Sequence, residues 1–240
     1  EPFSLNLSNW STENVTNMSN MFNGCGQNAM TTFSLGSSFN TTQVTNMSGM
    51  FQNFGHKLES LDLGTQFYTS SVTDMSNMFN GCGQIEMITL TLGNNFNTSQ
   101  VTNMSGMFQN CGQTKFTSLD LGDLFYTTSA TDMSNMFNGC GTTAMTGLDL
   151  GPAFTKIADT NTGFVTNCGK SGAVIYAPES IYQDANNFKL DTTSTTTINY
   201  TIGTINPRYR TEWIKEENVV IVDSGDITNS TIRITLRGRT

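Results

Sequence analysis

Five cysteines, a single histidine and a set of regularly spaced aspartates are the side chains with chemical potential in this 240-residue chain. The histidine is His56, and it has no second histidine and no partnered cysteine to work with. A nucleophilic triad or a zinc site is therefore not expected, and His56 reads as a loop residue. Cys25, Cys82, Cys111, Cys140 and Cys168 share one repeat column, with Phe54 standing where a sixth would fall. A slot that accepts phenylalanine is apolar, so the thiols read as small buried hydrophobes. Stacked repeats lie about 5 Å apart, within disulfide reach, which leaves a bridge such as Cys82–Cys111 or Cys111–Cys140 open as an alternative. Asp62, Asp120 and Asp149 also share a column, but without the spacing of a calcium loop. No catalytic residues, no metal ligands and no cofactor are assigned, and the chain is not expected to be an enzyme.

Charge narrows the partners. Residues 1–150 carry ten acids and two lysines, whereas residues 151–240 carry nine acids and nine bases, so all of the net charge of −8 sits on the first part. An acidic surface repels nucleic acid and anionic membrane, and neither is an expected partner. No stretch is apolar for long enough to span a bilayer.

What positions these columns is a repeat. A block reading Val-Thr-Asn/Asp-Met-Ser-Asn/Gly-Met-Phe starts at Val15, Val44, Val72 and Val101, with Ala130 opening a fifth copy and Ala158 a worn sixth. The steps are 28 or 29 residues by subtraction of these numbers. Copies one, three and five continue Asn-Gly-Cys-Gly while copies two and four continue Gln-Asn, which marks a duplicated pair as the parent unit. Leu-x-Leu recurs at Leu5/Leu7, Leu61/Leu63, Leu90/Leu92, Leu119/Leu121 and Leu148/Leu150, with Phe33/Leu35 as a variant. An aromatic column runs Trp10, Phe39, Phe67, Phe96, Phe125 and Phe154.

Leu-x-Leu alternates with period two, so both leucines face one side of a short strand. Met75, Met78, Phe79 and Cys82 lie at i, i+3, i+4 and i+7, the spacing of a helical stripe, with Thr73 or Asp74 as its N-cap and Gly81 or Gly83 at its end. The expected core columns are Met18, Met47, Met75, Met104 and Met133 together with Phe22, Phe51, Phe79, Phe108 and Phe137. A single unit cannot bury such a face, but stacked units can. The fold expected is an α/β repeat solenoid of short parallel strands and short helices, similar to a leucine-rich repeat. Asn6, Ser34, Asp62, Thr91, Asp120 and Asp149 would point outward from its strands. Tyr68 and Tyr126, each following a buried aromatic, would also face solvent.

Leu61-Asp-Leu63 followed by Val72-Thr-Asp-Met-Ser-Asn-Met-Phe-Asn-Gly-Cys82 resembles the repeat of bacterial surface proteins called BspA-like leucine-rich-repeat proteins. The resemblance covers roughly residues 1–190, closing on Ala173-Val-Ile-Tyr-Ala-Pro178 as a cap-like segment. These units are a few residues longer than that family's usual ones. The resemblance implies a bacterial cell-surface or secreted protein, with several family members linked to adhesion to host or matrix components.

The expected organisation is a solenoid with its cap over 1–190, a Thr/Ser linker over 191–197, and a β-strand-rich segment over 198–240. That segment, with strands at Ile198–Ile205, Val219–Val222 and Thr231–Leu236, resembles the opening of an immunoglobulin-like module, and further domains of the same chain are expected. The leading function is an adhesion or interaction module binding a host protein or glycan through a solenoid face. Binding residues would be Asp62, Thr91, Asp120, Asp149, Tyr68 and Tyr126. One alternative is a spacer projecting a downstream domain. A minor one is an ice-binding surface built from Thr/Ser clusters at Thr41-Thr42, Thr69–Ser71, Thr98-Ser99 and Thr127–Ser129.

Overall fold

The computed structural model describes residues 3–178, 181, 200–203, 218–220 and 235–237. The Leu-x-Leu segments form short parallel strands: β1 (Phe3–Asn6), β2 (Met30–Ser34), β3 (Ser60–Asp62), β4 (Thr89–Thr91), β5 (Ser118–Asp120), β6 (Gly147–Asp149) and β7 (Ala173–Tyr176). Period-two alternation sets their faces, as β3 shows by burying Leu61 between exposed Ser60 and Asp62. Register holds the columns together, with Leu61 opposite Leu90, and Leu119 opposite Leu148 and then Ile175.

The helices expected in the blocks are not there. Each block instead forms a second parallel ladder, bridged from Asn17 through Asn46, Asp74, Asn103 and Asp132 to Thr160. In the third coil the N–H groups of Asn77, Phe79 and Gly81 donate to the carbonyls of Ser105, Met107 and Gln109 in the next coil, each at 2.8 Å. Between them, the N–H groups of Met78, Asn80 and Cys82 turn back to Met75, Asn77 and Phe79 at 3.2, 3.1 and 3.0 Å. An α-helix would send every amide to the residue four back. Alternation between neighbour and self needs left-handed backbone, found at Asn77 (φ 55°), Gly81 (φ 68°) and Gly83 (φ 58°). The α/β reading is thus corrected to a parallel-strand β-solenoid of six coils, with tight turns in place of helices. The i, i+3, i+4, i+7 spacing still picks out the buried set, because three-residue turns reproduce it: Met75, Met78, Phe79 and Cys82 are all fully buried.

One core runs the length of the stack. All ten expected core residues of the Met18 and Phe22 columns are buried. Phe51, Phe79, Phe108 and Phe137 stack coil on coil with centroids 5.6, 5.3 and 5.5 Å apart and rings within 8° of parallel. A second column joins Phe67, Phe96, Phe125 and Phe154 at 6.5, 6.3 and 6.2 Å. Trp10, the first member of that column, is 50% exposed.

The chain divides into one unit over Glu1–Thr204 and another over Ile205–Thr240. β8 (Tyr200–Gly203), which falls in the segment read from sequence as separate from the solenoid, pairs in parallel with β7. In the second unit β9 (Asn218–Val220) and β10 (Thr235–Arg237) pair antiparallel. Apart from Ile181, the helix-like cap from 179 to 190 lies outside the described residues, as does the linker at 191–197.

Candidate functional site

The outward side of the strands carries the residues chosen from sequence. Asp62, Thr91 and Asp120 are exposed and Asp149 is half-buried. Asp62 stands opposite Thr91, and Asp120 opposite Asp149, which in turn faces Tyr176. Each aspartate has a second task that its place in a polar column does not reveal. Asp62 Oδ1 accepts from Gly64 N–H at 2.9 Å, Asp120 Oδ1 from Gly122 N–H at 2.9 Å, and Asp149 Oδ1 from Gly151 N–H at 3.0 Å. These Asx turns hold the left-handed glycine that ends each strand, and Asn6 does the same for Ser8 at 2.9 Å. Tyr68 and Tyr126 lie beyond that turn and are half-buried. Their carbonyls accept the Thr41 and Thr98 hydroxyls at 2.7 and 2.6 Å.

Strand pairing is not continuous along this face. β1 pairs with β2, β3 with β4, and β5 through β8 form one sheet, leaving β2/β3 and β4/β5 unpaired. Where strands pair, the N–H groups of Leu7, Leu63, Leu121 and Leu150 donate to Ser34, Thr91, Asp149 and Tyr176 carbonyls at 2.9 to 3.0 Å. No such bond ties Leu35 or Leu92 to the next coil among the described residues. The glycine turns follow the same rhythm. A β-carbon on Gly36 would collide with Ser8, one on Gly93 with the Gly64 carbonyl, and one on Gly151 with the Gly122 carbonyl. At the two unpaired steps the turn stands open, with nothing within 4 Å of a β-carbon on Gly64 or Gly122. The first open step forms a cleft of about 360 Å³ whose polar lining comes from Ser34, Ser37, Asp62, Thr65 and Gln66, with Phe33, Leu35, Leu63 and the two glycines Gly36 and Gly64 completing it.

Of the six binding residues expected from sequence, the cleft takes in Asp62 alone, joined by Ser34 from the same outward column. Ser37, Thr65 and Gln66 went unnoticed, because Gly36, Gly64, Gly93, Gly122 and Gly151 fill one column identically and only strand pairing tells them apart. The Thr clusters prove structural in part. Thr41, Thr69, Thr98 and Thr127 are buried, and Thr69 Oγ1 reaches the Asn97 carbonyl at 2.8 Å, which withdraws these hydroxyls from any water-ordering surface.

The cysteines are all free thiols, half-buried at Cys25 and buried at the other four positions. Burial pushes the Cys168 thiol well above its ordinary value, and Cys140 rises likewise through its hydrogen bond with Cys111 and through burial. His56 is half-buried, with no hydrogen-bond partner for its buried Nε2. Burial lowers its pKa, against a smaller opposing pull from the Gly81 backbone. Lys115 pairs with Glu86 one coil away. Among the described residues, no group of three or more His, Cys, Asp or Glu is arranged to hold a metal. No helix among them is long and apolar enough to cross a membrane.

A family described as "Mycoplasma protein of unknown function, DUF285" matches residues 1–64 and again residues 55–146. The chain belongs to that family. The two DUF285 matches span the first five blocks. Both walls of the cleft, Ser34–Ser37 and Asp62–Gln66, fall inside matched residues. No curated protein and no solved structure matches the sequence.

Proposed function

We propose that the solenoid is an interaction module of a bacterial cell-surface or secreted protein, holding a host protein or glycan against its strand face. The observation that carries this reading is an outward column, with Asp62, Thr91 and Asp120 exposed and Asp149 half-buried, mounted on a continuous buried core. Preformed polar groups on a stiff scaffold lose little freedom on binding, which favours recognition. The likeness of Leu61–Leu63 and Val72–Cys82 to BspA-like leucine-rich repeats, several of which are linked to adhesion, supports the same reading and the surface location. The test is binding of the purified chain to an array of matrix proteins and glycans, repeated with Asp62, Asp120 and Asp149 all changed to Lys. Asn substitutions at the same positions serve as the fold control, since Asn6 already caps a strand end in this way. Binding lost on charge reversal supports the module; binding unaffected by it moves the contact away from this face.

A spacer is the second reading. It is favoured by the coil-to-coil hydrogen-bond ladder that makes each coil depend only on its neighbours, the property of a stiff projecting rod. Absence of binding to every arrayed ligand would support it.

A further inference from the structure

We propose that the open glycine turns form two subsites for a neutral polysaccharide, one between β2 and β3 and the other between β4 and β5. The proposal rests on the interaction-module reading and names its ligand class.

Three observations converge on the first subsite. Its cleft, at about 360 Å³, falls within the range of small-ligand sites. Its polar groups are the hydroxyls of Ser34, Ser37 and Thr65, the Gln66 amide and the Asp62 carboxylate. The apolar side chains beside it are Leu35 and Leu63, which belong to the core at 5% and 2% exposure, and the half-buried Phe33. Apart from Phe33, such a lining offers no aromatic or aliphatic anchor of the kind on which protein contacts depend. It suits a ligand that is itself dense in hydroxyls. Asp62 spends Oδ1 on Gly64 N–H, and an ionised carboxylate retains further acceptor sites for sugar hydroxyls, which donate as well as accept. The missing β-carbon of Gly64 leaves room for a ring to lie against the backbone.

The second subsite shares the open turn and the aspartate of the first, while Asp123 and Leu124 stand where Thr65 and Gln66 do. Gly122 is open in the same way as Gly64, and Asp120 stands where Asp62 does. Two coils separate the clefts, roughly 10 Å at the spacing of stacked strands, about the length of two pyranose rings in an extended chain. A polymer can therefore reach both, whereas a disaccharide reaches one. Charge selects among polymers: residues 1–150 carry ten acids against two lysines, so uronate or sulfated chains are repelled and neutral hexose or N-acetylhexosamine chains are not.

The test is calorimetric titration of the whole chain with neutral hexose and N-acetylhexosamine oligomers of two and six rings, with uronic-acid oligomers of equal length as the charge control. Neutral hexamers are expected to bind, and to bind at least about tenfold more tightly than dimers through the second subsite. Asp62→Asn with Gln66→Ala should weaken hexamer binding about tenfold with the melting temperature unchanged, because Asn keeps the Asx turn. Hexamer affinity unchanged in that variant, or uronate oligomers binding as well as neutral ones, overturns the proposal. If matrix proteins bind through the strand face while no neutral glycan does, the polysaccharide inference fails and the interaction module stands. If nothing binds, both fail.

Discussion

The side-chain oxygen of Asn77 occupies the space that a β-carbon on Gly106 would need. Asn20 stands in the same relation to Gly49, Asn53 to Gly81, Asn110 to Gly139 and Asn135 to Gly163. All these residues have left-handed backbone, with φ between 50° and 71°. In two columns, asparagine and glycine alternate from coil to coil, each amide seated over the bare backbone of the next. This is a physical reason for the two-coil period seen in the sequence. Two asparagines in succession would collide, and two glycines would leave a gap and lose contacts such as Asn80 Nδ2 to Asn77 Oδ1 at 2.9 Å.

Gly106→Ala is therefore expected to destabilise the solenoid by about 2 kcal/mol or more, combining left-handed strain with the clash against Asn77. Asn77→Gly in the same chain should recover part of that loss. A coupling of about 0.5–3 kcal/mol in a double-mutant cycle, read by urea unfolding, is the expected signature. Simple additivity would mean that the two residues do not share the space.

Thr98 is fully buried, and its Oγ1 donates to the Tyr126 carbonyl at 2.6 Å. Thr98→Val keeps the shape and removes the donor, leaving that carbonyl unsatisfied at a cost of about 1–3 kcal/mol. Thr98→Ser should cost less. Equal melting temperatures for the Val and Ser variants would show that the hydroxyl clamp contributes nothing.

Thiol labelling separates the ends of the cysteine column. Cys82, Cys111, Cys140 and Cys168 are buried, whereas Cys25 is half-buried. With iodoacetamide at pH 8, native protein should be alkylated at Cys25 first, and at the other four only after unfolding. Mass spectrometry of the digest reads the order, and rapid native labelling at Cys111 would contradict the packed column.

His56 makes stability depend on acidity. Its pKa is lowered in the folded chain, chiefly by burial. The unfolded chain therefore takes up the proton first as pH falls. The stabilising contribution is complete above the unfolded value of about 6.5 and is lost as pH falls through the lower folded value. Gln occupies the same column at Gln84 and Gln113, which makes His56→Gln the matching replacement. Unfolding curves of the two proteins should run parallel above neutrality, with the wild type losing stability relative to the variant as pH falls below about 6.5. Parallel curves throughout would mean that His56 titrates as freely folded as unfolded.

Which residues are buried was decided by the sequence alone. Every column of Leu, Met and Phe read from the 28–29-residue step is buried in the interior coils, as Leu61, Met75 and Phe79 show. A stacked repeat has one apolar interior, so recurrence of an apolar type at fixed spacing is evidence of burial whatever the backbone does. The backbone path was decided elsewhere. Met75, Met78, Phe79 and Cys82 carry helical spacing, but amides such as those of Asn77 and Gly81 meet carbonyls of the next coil, and those partners exist only once coils stack. Tertiary hydrogen bonds thus replaced the helix, with Asn77 and Gly81 supplying the left-handed geometry. The candidate site divides in the same way. Asp62 and Asp120 were legible as an outward column by strand alternation, but the open turns at Gly64 and Gly122 were not. Five glycines of one type fill that column, and only the pairing of one strand with the next decides which turns close and which stay open.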